Sequence, residues 1–416
     1  MNSLLKHPLI HFLIASKGNI KVLLLQEPLF GIPITLLAPF TALYMFIQGI
    51  TEVQIGLLLS VTMAGQVFFS VYSGVITDKL GRRTATSIGV FVGWGLAGFV
   101  WAISNSFWLF FIAAILNSFE RVSEPGYHCL LVEDTNSNDL IWIFTWINIA
   151  GLIGVLFSPI MVLLIESFTL VSVVRGLYIF LGINMIIRSL IIRFCCTETK
   201  QGEIRQKETK SIPIRIMLQE YRNVMPQIFR SSATVKVILI DTIWFVALML
   251  TQTFFGLYVT TELGVEERFL ALFPILNAIV ILSFMFVIQH KIAHVKNKIP
   301  LGAGLILFVL CNVTLVFIPA GNMILIIAFV FFVAVSTALI DPRRMAMLHL
   351  ALDPKERARI MSIVSLVTIA FSVPFGALGG FLSSVDRRLP FVLTTVLFII
   401  ATIIVASIRD DEFTAV

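Results

Sequence analysis

The chain has 416 residues, 58% of them hydrophobic and only 13% charged, with a formal net charge of +6. Soluble domains carry about 25% charged residues. That deficit, with a mean hydropathy of +0.97, excludes a water-soluble globular fold. In a soluble protein the positive balance would suggest nucleic acid. Here Lys and Arg retained in the loops on one side of a membrane account for it, and no nucleic-acid partner is expected.

In chain order, Met1 to Lys21 holds only a short apolar patch, interrupted by His11 and lacking a small-residue cleavage site. It reads as no cleavable signal, with the first span serving as its own insertion signal. Apolar runs long enough to cross a hydrocarbon core of about 30 Å then recur near 22–48, 55–76, 84–104, 107–131, 140–165 and 172–194. A second set follows near 234–259, 268–289, 299–318, 323–348, 358–383 and 388–408. Lys79, Arg82, Arg83, Lys291, Lys296, Lys298, Lys355, Arg357 and Arg359 fall in loops on one side, with the 195–232 segment. By the positive-inside rule both termini are cytoplasmic, in a multi-pass protein of the plasma membrane. Cys129, Cys195, Cys196 and Cys311 form no CxxC pair, so neither a disulfide framework nor a metal site is expected.

The polar linker 195–233 separates an N-terminal bundle, 1–194, from a C-terminal bundle, 234–416. Its first part, TETKQGEIRQKETKS, reads as charged and flexible. Its second, IPIRIMLQEYRNVMPQIF, has the spacing of an amphipathic helix lying on the membrane surface. The halves echo each other at an offset of about 217 residues: Glu124-Pro125 falls on Asp341-Pro342, Ser158-Pro159 near Val373-Pro374, and Glu27 near Asp241. The pattern predicts an all-α polytopic membrane protein of about twelve transmembrane helices in two pseudo-symmetric six-helix bundles. Such repeats are common in secondary transporters, which place the substrate between the halves.

Between the second and third runs stands GVITDKLGRR, Gly74 to Arg83. It resembles the loop signature of the major facilitator superfamily, at the position where that family carries it. The resemblance, with the six-plus-six layout, covers the whole chain. Glycines at 74 and 81 permit a sharp turn and close helix approach, and Asp78 is placed to accept from a helix N-terminus, where the dipole favours an anion. The resemblance implies that this N-terminus belongs to the eleventh span, around Glu356 to Ile360. It also implies that Arg82 pairs with Glu133 or Asp134 at the end of the fourth span. Gly74, Asp78, Lys79, Gly81, Arg82, Arg83, Glu133 and Asp134 would then form a cytoplasmic gate. The alternative is a positive-inside topology loop without a gating role. The second-half counterpart, IQHKIAHVKNKIP, keeps the positive charge and lacks the Gly and Asp.

Ionisable groups inside spans are costly and are functional candidates. In NSFERVSEPGY, Glu120 lies about 18 Å along the fourth helix at 1.5 Å per residue. Glu124 follows on the same face, within reach of Arg121 at i,i+3, and Pro125 weakens the helix there. Glu120, Arg121 and Glu124 are read as proton-coupling or substrate-binding groups, or else as a structural ion pair. Glu27, Asp241 and Asp341 lie lower in their spans, with coupling and gating roles equally open. Arg188 and Arg193 are assigned to headgroups by snorkelling. Tyr44, Gln66, Asn117, Trp146, Asn148, Trp244, Gln252 and Asn277 are cavity candidates on the spans that line the cavity in the resembled family, against a packing role for each.

The fifth span, GLIGVLFSPIMVLL, keeps Gly151 and Gly154 but has Ser158 before Pro159 and lacks the later glycines of the drug–proton antiporter signature. No Walker loop, nucleophile or metal-ligand constellation appears, so the chain is expected to be no enzyme and to hold no cofactor. The leading expectation is a monomeric secondary transporter of a small molecule, exporting an amphipathic or cationic compound in exchange for protons. Nutrient symport, and a sensor or lipid flippase on the same scaffold, remain as alternatives.

Overall fold

The computed structural model describes residues 8–135, 140–217, 232–289, 291–292, 295–350 and 357–408. Every regular element among them is helical. Eleven helices are long and apolar enough to cross a membrane: Gly18–Leu37, Glu52–Leu80, Arg82–Ile103, Trp142–Ser167, Leu170–Cys195, Thr234–Thr261, Glu267–Gln289, Lys298–Val316, Met323–Leu348, Ile363–Val385 and Leu389–Ser407. The expected fourth span stands outside that set because Glu120, Arg121 and Glu124 fall together in every 18-residue stretch of it, and it is not one regular helix. It runs as Phe107–Ser118, a 3-10 turn at Phe119–Val122, and Ser123–Val132. The tightened turn comes just before Pro125, which supplies no backbone donor.

Two other expected spans are also broken. The first, expected over 22–48, starts earlier and ends at Leu37, and the chain resumes as Thr41–Ile47 after Pro39. The fifth divides into Leu140–Leu156 and Ser158–Ser167, with Pro159 in the first turn of the second piece. The first part of the linker, expected to be flexible, is the helix Lys200–Thr209. Thr199 caps it by accepting the Gly202 N–H at 2.9 Å, a standard N-terminal stop. Most of the expected amphipathic surface helix lies outside the described residues.

The chain divides into two compact units. One comprises Met1–Ala38 and Ala64–Glu220, the other Pro39–Met63 and Tyr221–Val416. This differs from the division at 1–194, 195–233 and 234–416 chiefly in Pro39–Met63, which packs with the second half. Within the first unit, Trp101 stacks on Tyr178 at 5.4 Å, and the first and fifth spans cross where Gly154 meets the Gly31 carbonyl.

The second unit is centred on Trp244, Phe308 and Phe398, the two Phe rings 4.5 Å apart. Here the start of the second span lies backbone-to-backbone on the eleventh. A Cβ on Gly380 would stand 2.5 Å from the Glu52 carbonyl oxygen, and one on Gly56 2.5 Å from that of Gly376. Ser60 Oγ donates to the Val373 carbonyl at 2.5 Å and accepts the Ala377 N–H at 2.7 Å. Its hydroxyl is thereby spliced into the helical ladder beside Pro374, a recognised cause of local opening. Arg387 then joins Glu52 at 2.7 Å and Glu262 at 2.8 Å.

The close crossing makes a stability prediction. Gly380→Ala forces backbone against backbone and should lower the melting temperature of the detergent-solubilised protein by several degrees. Gly302→Ala, whose added Cβ meets nothing closer than 3.9 Å, should be neutral or raise stability by about 0.5–1 kcal/mol. Equal melting of the two variants would refute the tight contact.

Candidate functional site

The charged groups of the first unit converge on a cavity of about 250 Å³. Its walls come from the first span (Glu27, Phe30), the third (Val90, Trp94), the fourth (Glu120, Arg121, Ser123, Glu124, Tyr127) and the sixth (Met185, Arg188). Two local irregularities shape it. The third span widens to a π-helical turn at Phe91–Leu96, a form that recurs at functional sites. It presses onto the 3-10 turn of the fourth span, since a Cβ on Gly93 would stand 2.5 Å from the Glu120 nitrogen. Asn117 Nδ2 donates to the Gly93 carbonyl at 2.9 Å and pins the two irregular turns together.

Glu27 is fully matched. Arg188 Nη2 and the Tyr127 hydroxyl each donate to its Oε1 at 2.6 Å. The Arg188 guanidinium also lies 5.4 Å from the Tyr127 ring centroid and 5.8 Å from that of Phe30. Glu27 and Arg188 are 8% and 6% exposed, so Arg188 does not snorkel as expected; a buried acid holds it in the bundle. Arg121 Nη1 pairs with Glu124 Oε2 at 2.7 Å, and its Nη2 donates to Gln66 Oε1 at 3.3 Å. Gln66 Nε2 donates in turn to Glu120 Oε1 at 3.0 Å. Glu120 therefore meets an amide and, among the described residues, makes no ion pair of its own. Three carboxyl groups thus face two guanidiniums in the cavity.

The second unit repeats the pattern in altered form. Arg344 pairs with both Asp241 and Asp341, the latter at 3.0 Å. It stands three residues after Asp341, as Tyr127 stands three after Glu124, so the acids of the first and seventh spans meet corresponding positions of the fourth and tenth. No sequence signal marked Arg188, but the 217-residue offset could have marked Tyr127 through Arg344.

At the other end of the third span lies the GVITDKLGRR stretch. Gly81 sits at φ +86° between two helices, and a Cβ there would also meet the Glu198 carboxylate and the Gln206 amide. Gly74 lies inside the helix Glu52–Leu80 and turns nothing, contrary to expectation. Asp78 accepts from Arg82 and from Arg205, both at 2.9 Å. The start of the eleventh span, the partner that the resemblance implies for Asp78, has its side chains outside the described residues. Glu198 accepts the backbone N–H groups of Arg82 and Arg83 at 2.9 and 3.1 Å, supplying the anion at a helix N-terminus. Arg82 reaches Glu133 at 3.2 Å, and the other Glu133 oxygen accepts from Thr199. Asp134 is exposed. Lys79 donates to the Ile212 carbonyl at 2.8 Å, and Arg83 to that of Cys196 at 3.4 Å. The loop is thus a dock for the linker helix. Arg205, outside the spans, has its pKa raised, first by its hydrogen bond to Asp78 and against some burial, so it stays charged.

The remaining cavity candidates scatter. Tyr44 and Trp244 are buried in the second unit, with Trp244 in the ring cluster of Phe308 and Phe398. Gln252 is exposed and Trp146 half-buried. Asn277 Oδ1 is buried without a partner, and the side chain of Asn148 lies outside the described residues.

The family model of the Major Facilitator Superfamily matches residues 29–323 and 258–415. The chain belongs to this superfamily. It is 30% identical over 148 residues to an uncharacterised MFS-type transporter, YqjV, of Bacillus subtilis, covering 34% of this chain and 36% of that protein. It is 25% identical over 199 residues to a Na(+), Li(+), K(+)/H(+) antiporter of Planococcus maritimus, covering 45% of each. The matches therefore span less than half the length of these curated relatives. Among solved structures, the nucleoside transporter NupG superposes with TM-score 0.73 at 14% identity, covering 94% of this chain and 99% of that one. A POT family transporter in complex with 5-aminolevulinic acid gives 0.71 at 14% identity, covering 94% and 96%. These fix the fold as polytopic and all-helical.

Two predictions follow from this geometry. Arg188→Leu strands the Glu27 carboxylate and should cost about 3–5 kcal/mol of stability, read as a large fall in melting temperature. Adding Glu27→Gln should recover much of that loss, and a double variant no better than the single would break the pairing. Separately, Glu198→Ala or Arg205→Ala should speed tryptic cleavage at Lys200, Lys207 and Lys210, followed by gel. Cleavage at the wild-type rate would show that the linker helix is held by other contacts.

Proposed function

We propose that this transporter exchanges protons for a small cationic or amphipathic compound, exporting the compound from the cell. The observation that carries the reading is Glu120, a carboxylate in the first-unit cavity held by the Gln66 amide with no ion pair of its own among the described residues. It is the group whose charge a proton or a monovalent cation would cancel. Glu27 is already matched by Arg188 and Glu124 by Arg121, so one positive charge balances the cavity. Occupation by a proton and by a cation then exclude one another, which is the requirement for exchange. The partial similarity to a Na(+), Li(+), K(+)/H(+) antiporter points the same way.

The alternating-access scheme gives the loop around Asp78 a gating part. Arg82 with Glu133 and Asp78 with Arg82 and Arg205 form a charged knot that a rocking motion would make or break. Asp241 and Asp341 around Arg344 are the second-half candidates for coupling. The lysines and arginines near Asp78 support a topology with this end, and both termini, in the cytoplasm of a plasma-membrane protein, acting as a monomer.

The test uses inside-out vesicles with a pH-sensitive dye, after a thermal-shift screen of the purified protein against metabolites, alkali cations and organic cations. A stabilising cation should collapse an imposed pH gradient in wild-type vesicles. Glu120→Gln should abolish that response, whereas Glu124→Gln, whose carboxylate is half exposed to the cavity, should reduce it less. An unchanged response in Glu120→Gln would overturn the assignment.

A further inference from the structure

A second cleft, of about 350 Å³, opens between the third and sixth spans, lined by Thr84, Ser87, Ile88, Phe91, Ser189 and Arg193. The transport scheme uses none of these residues. Its chemistry is graded. Ile88 and Phe91, 39% and 36% exposed, form an apolar wall. Ser87 and Ser189 bond one another and each other's carbonyls at 2.9–3.0 Å, so the floor is polar but satisfied. At the span end Arg193 donates to Thr84 Oγ1 at 3.2 Å and makes no ion pair among the described residues.

More uncompensated positive charge surrounds that corner. Arg83 lies next to Thr84; its guanidinium bonds the Cys196 carbonyl, with its Nε buried and unpartnered, and makes no ion pair among the described residues. Asn19 exchanges hydrogen bonds with Thr197 at 2.9 Å, bringing the start of the first span to the same end. Lys17 and Lys21, each two residues from Asn19, are exposed and also make no ion pair among the described residues. Arg193 thus lines a cleft whose wall is hydrocarbon, Arg83 adjoins it, and Lys17 and Lys21 lie at the same end of the spans. The nearby acid, Glu198, is engaged by backbone N–H groups.

We propose that this cleft seats a phospholipid with an anionic headgroup. The phosphate meets Arg193 and Thr84, an acyl chain lies along Ile88 and Phe91, and Arg83, Lys17 and Lys21 add attraction from the same end. Basic recesses between membrane helices suit such headgroups, and the charge complementarity here is local to one helix pair.

The experiment is native mass spectrometry of the full-length protein, loaded with equimolar phosphatidylglycerol and phosphatidylcholine. Wild-type protein should retain phosphatidylglycerol preferentially. Arg193→Gln should lower that preference about fivefold, the scale of one basic residue at an anionic surface. Ile88→Trp, which fills the cleft and leaves every charge in place, should lower it similarly, and Lys291→Gln, in a loop of the second unit, should not. Each variant is compared with wild type by gel filtration and helical circular dichroism. Equal retention of the two lipids, or an unchanged preference in Arg193→Gln, would overturn the site. Loss in Arg193→Gln with none in Ile88→Trp would reduce it to a diffuse field. Displacement of the lipid by millimolar inorganic phosphate would assign the pocket to a soluble anion instead.

Discussion

A charge buried at the depth of the hydrocarbon must find its counter-charge within the protein, because the acyl chains supply none. The Glu27–Arg188 pair is where this structure meets that demand most fully. Both groups are buried, the Tyr127 hydroxyl shares the carboxylate, and two aromatic rings flank the guanidinium. The pair ties the first span to the sixth, and its carboxylate gives the Tyr127 hydroxyl of the fourth an acceptor. With it satisfied, the cavity's remaining groups can be left imperfectly matched, and Glu120 is the one so left.

The irregular backbone serves the same end. Regular helices would pass the third and fourth spans side by side at ordinary spacing. A π turn facing a 3-10 turn, with Gly93 in contact with the Glu120 backbone, lets them approach until Asn117 can bridge to the Gly93 carbonyl. The cost is a fourth span that is three short pieces. Such breaks are tolerated where protein surrounds the freed backbone groups and lines a cavity. In the second unit the Ser60 hydroxyl does comparable work beside Pro374, bonding the Val373 carbonyl and the Ala377 N–H of the eleventh span.

The linker helix shows charge used outside the spans. Asp78, Arg82, Glu133 and Glu198 form one network with Thr199 and Arg205, so the segment after the sixth span is bound to the loop after the second. That network satisfies a helix N-terminus, a helix cap and three carboxylates together. It also explains why Gly81 is required twice over, for its backbone angle and for the space that Glu198 and Gln206 occupy.

Much of the architecture was legible from the residues: the order of the apolar runs, the all-helical membrane fold, the superfamily through GVITDKLGRR, and Glu120 and Glu124 as charged groups of the fourth run. These depend on composition and local spacing, which a sequence states directly. The order of Lys200–Thr209 was not read from the residues, because the overall polarity of the segment argued for flexibility. The partners of the charges were not legible. Arg188 reads as a snorkelling residue until its distance from Glu27, 161 positions away, is known, and Glu198 reads as linker until it meets the Arg82 and Arg83 amides. Hydropathy records the cost of burying each group singly, whereas compensation is a property of pairs, and only the packing of one helix on another decides which pairs form.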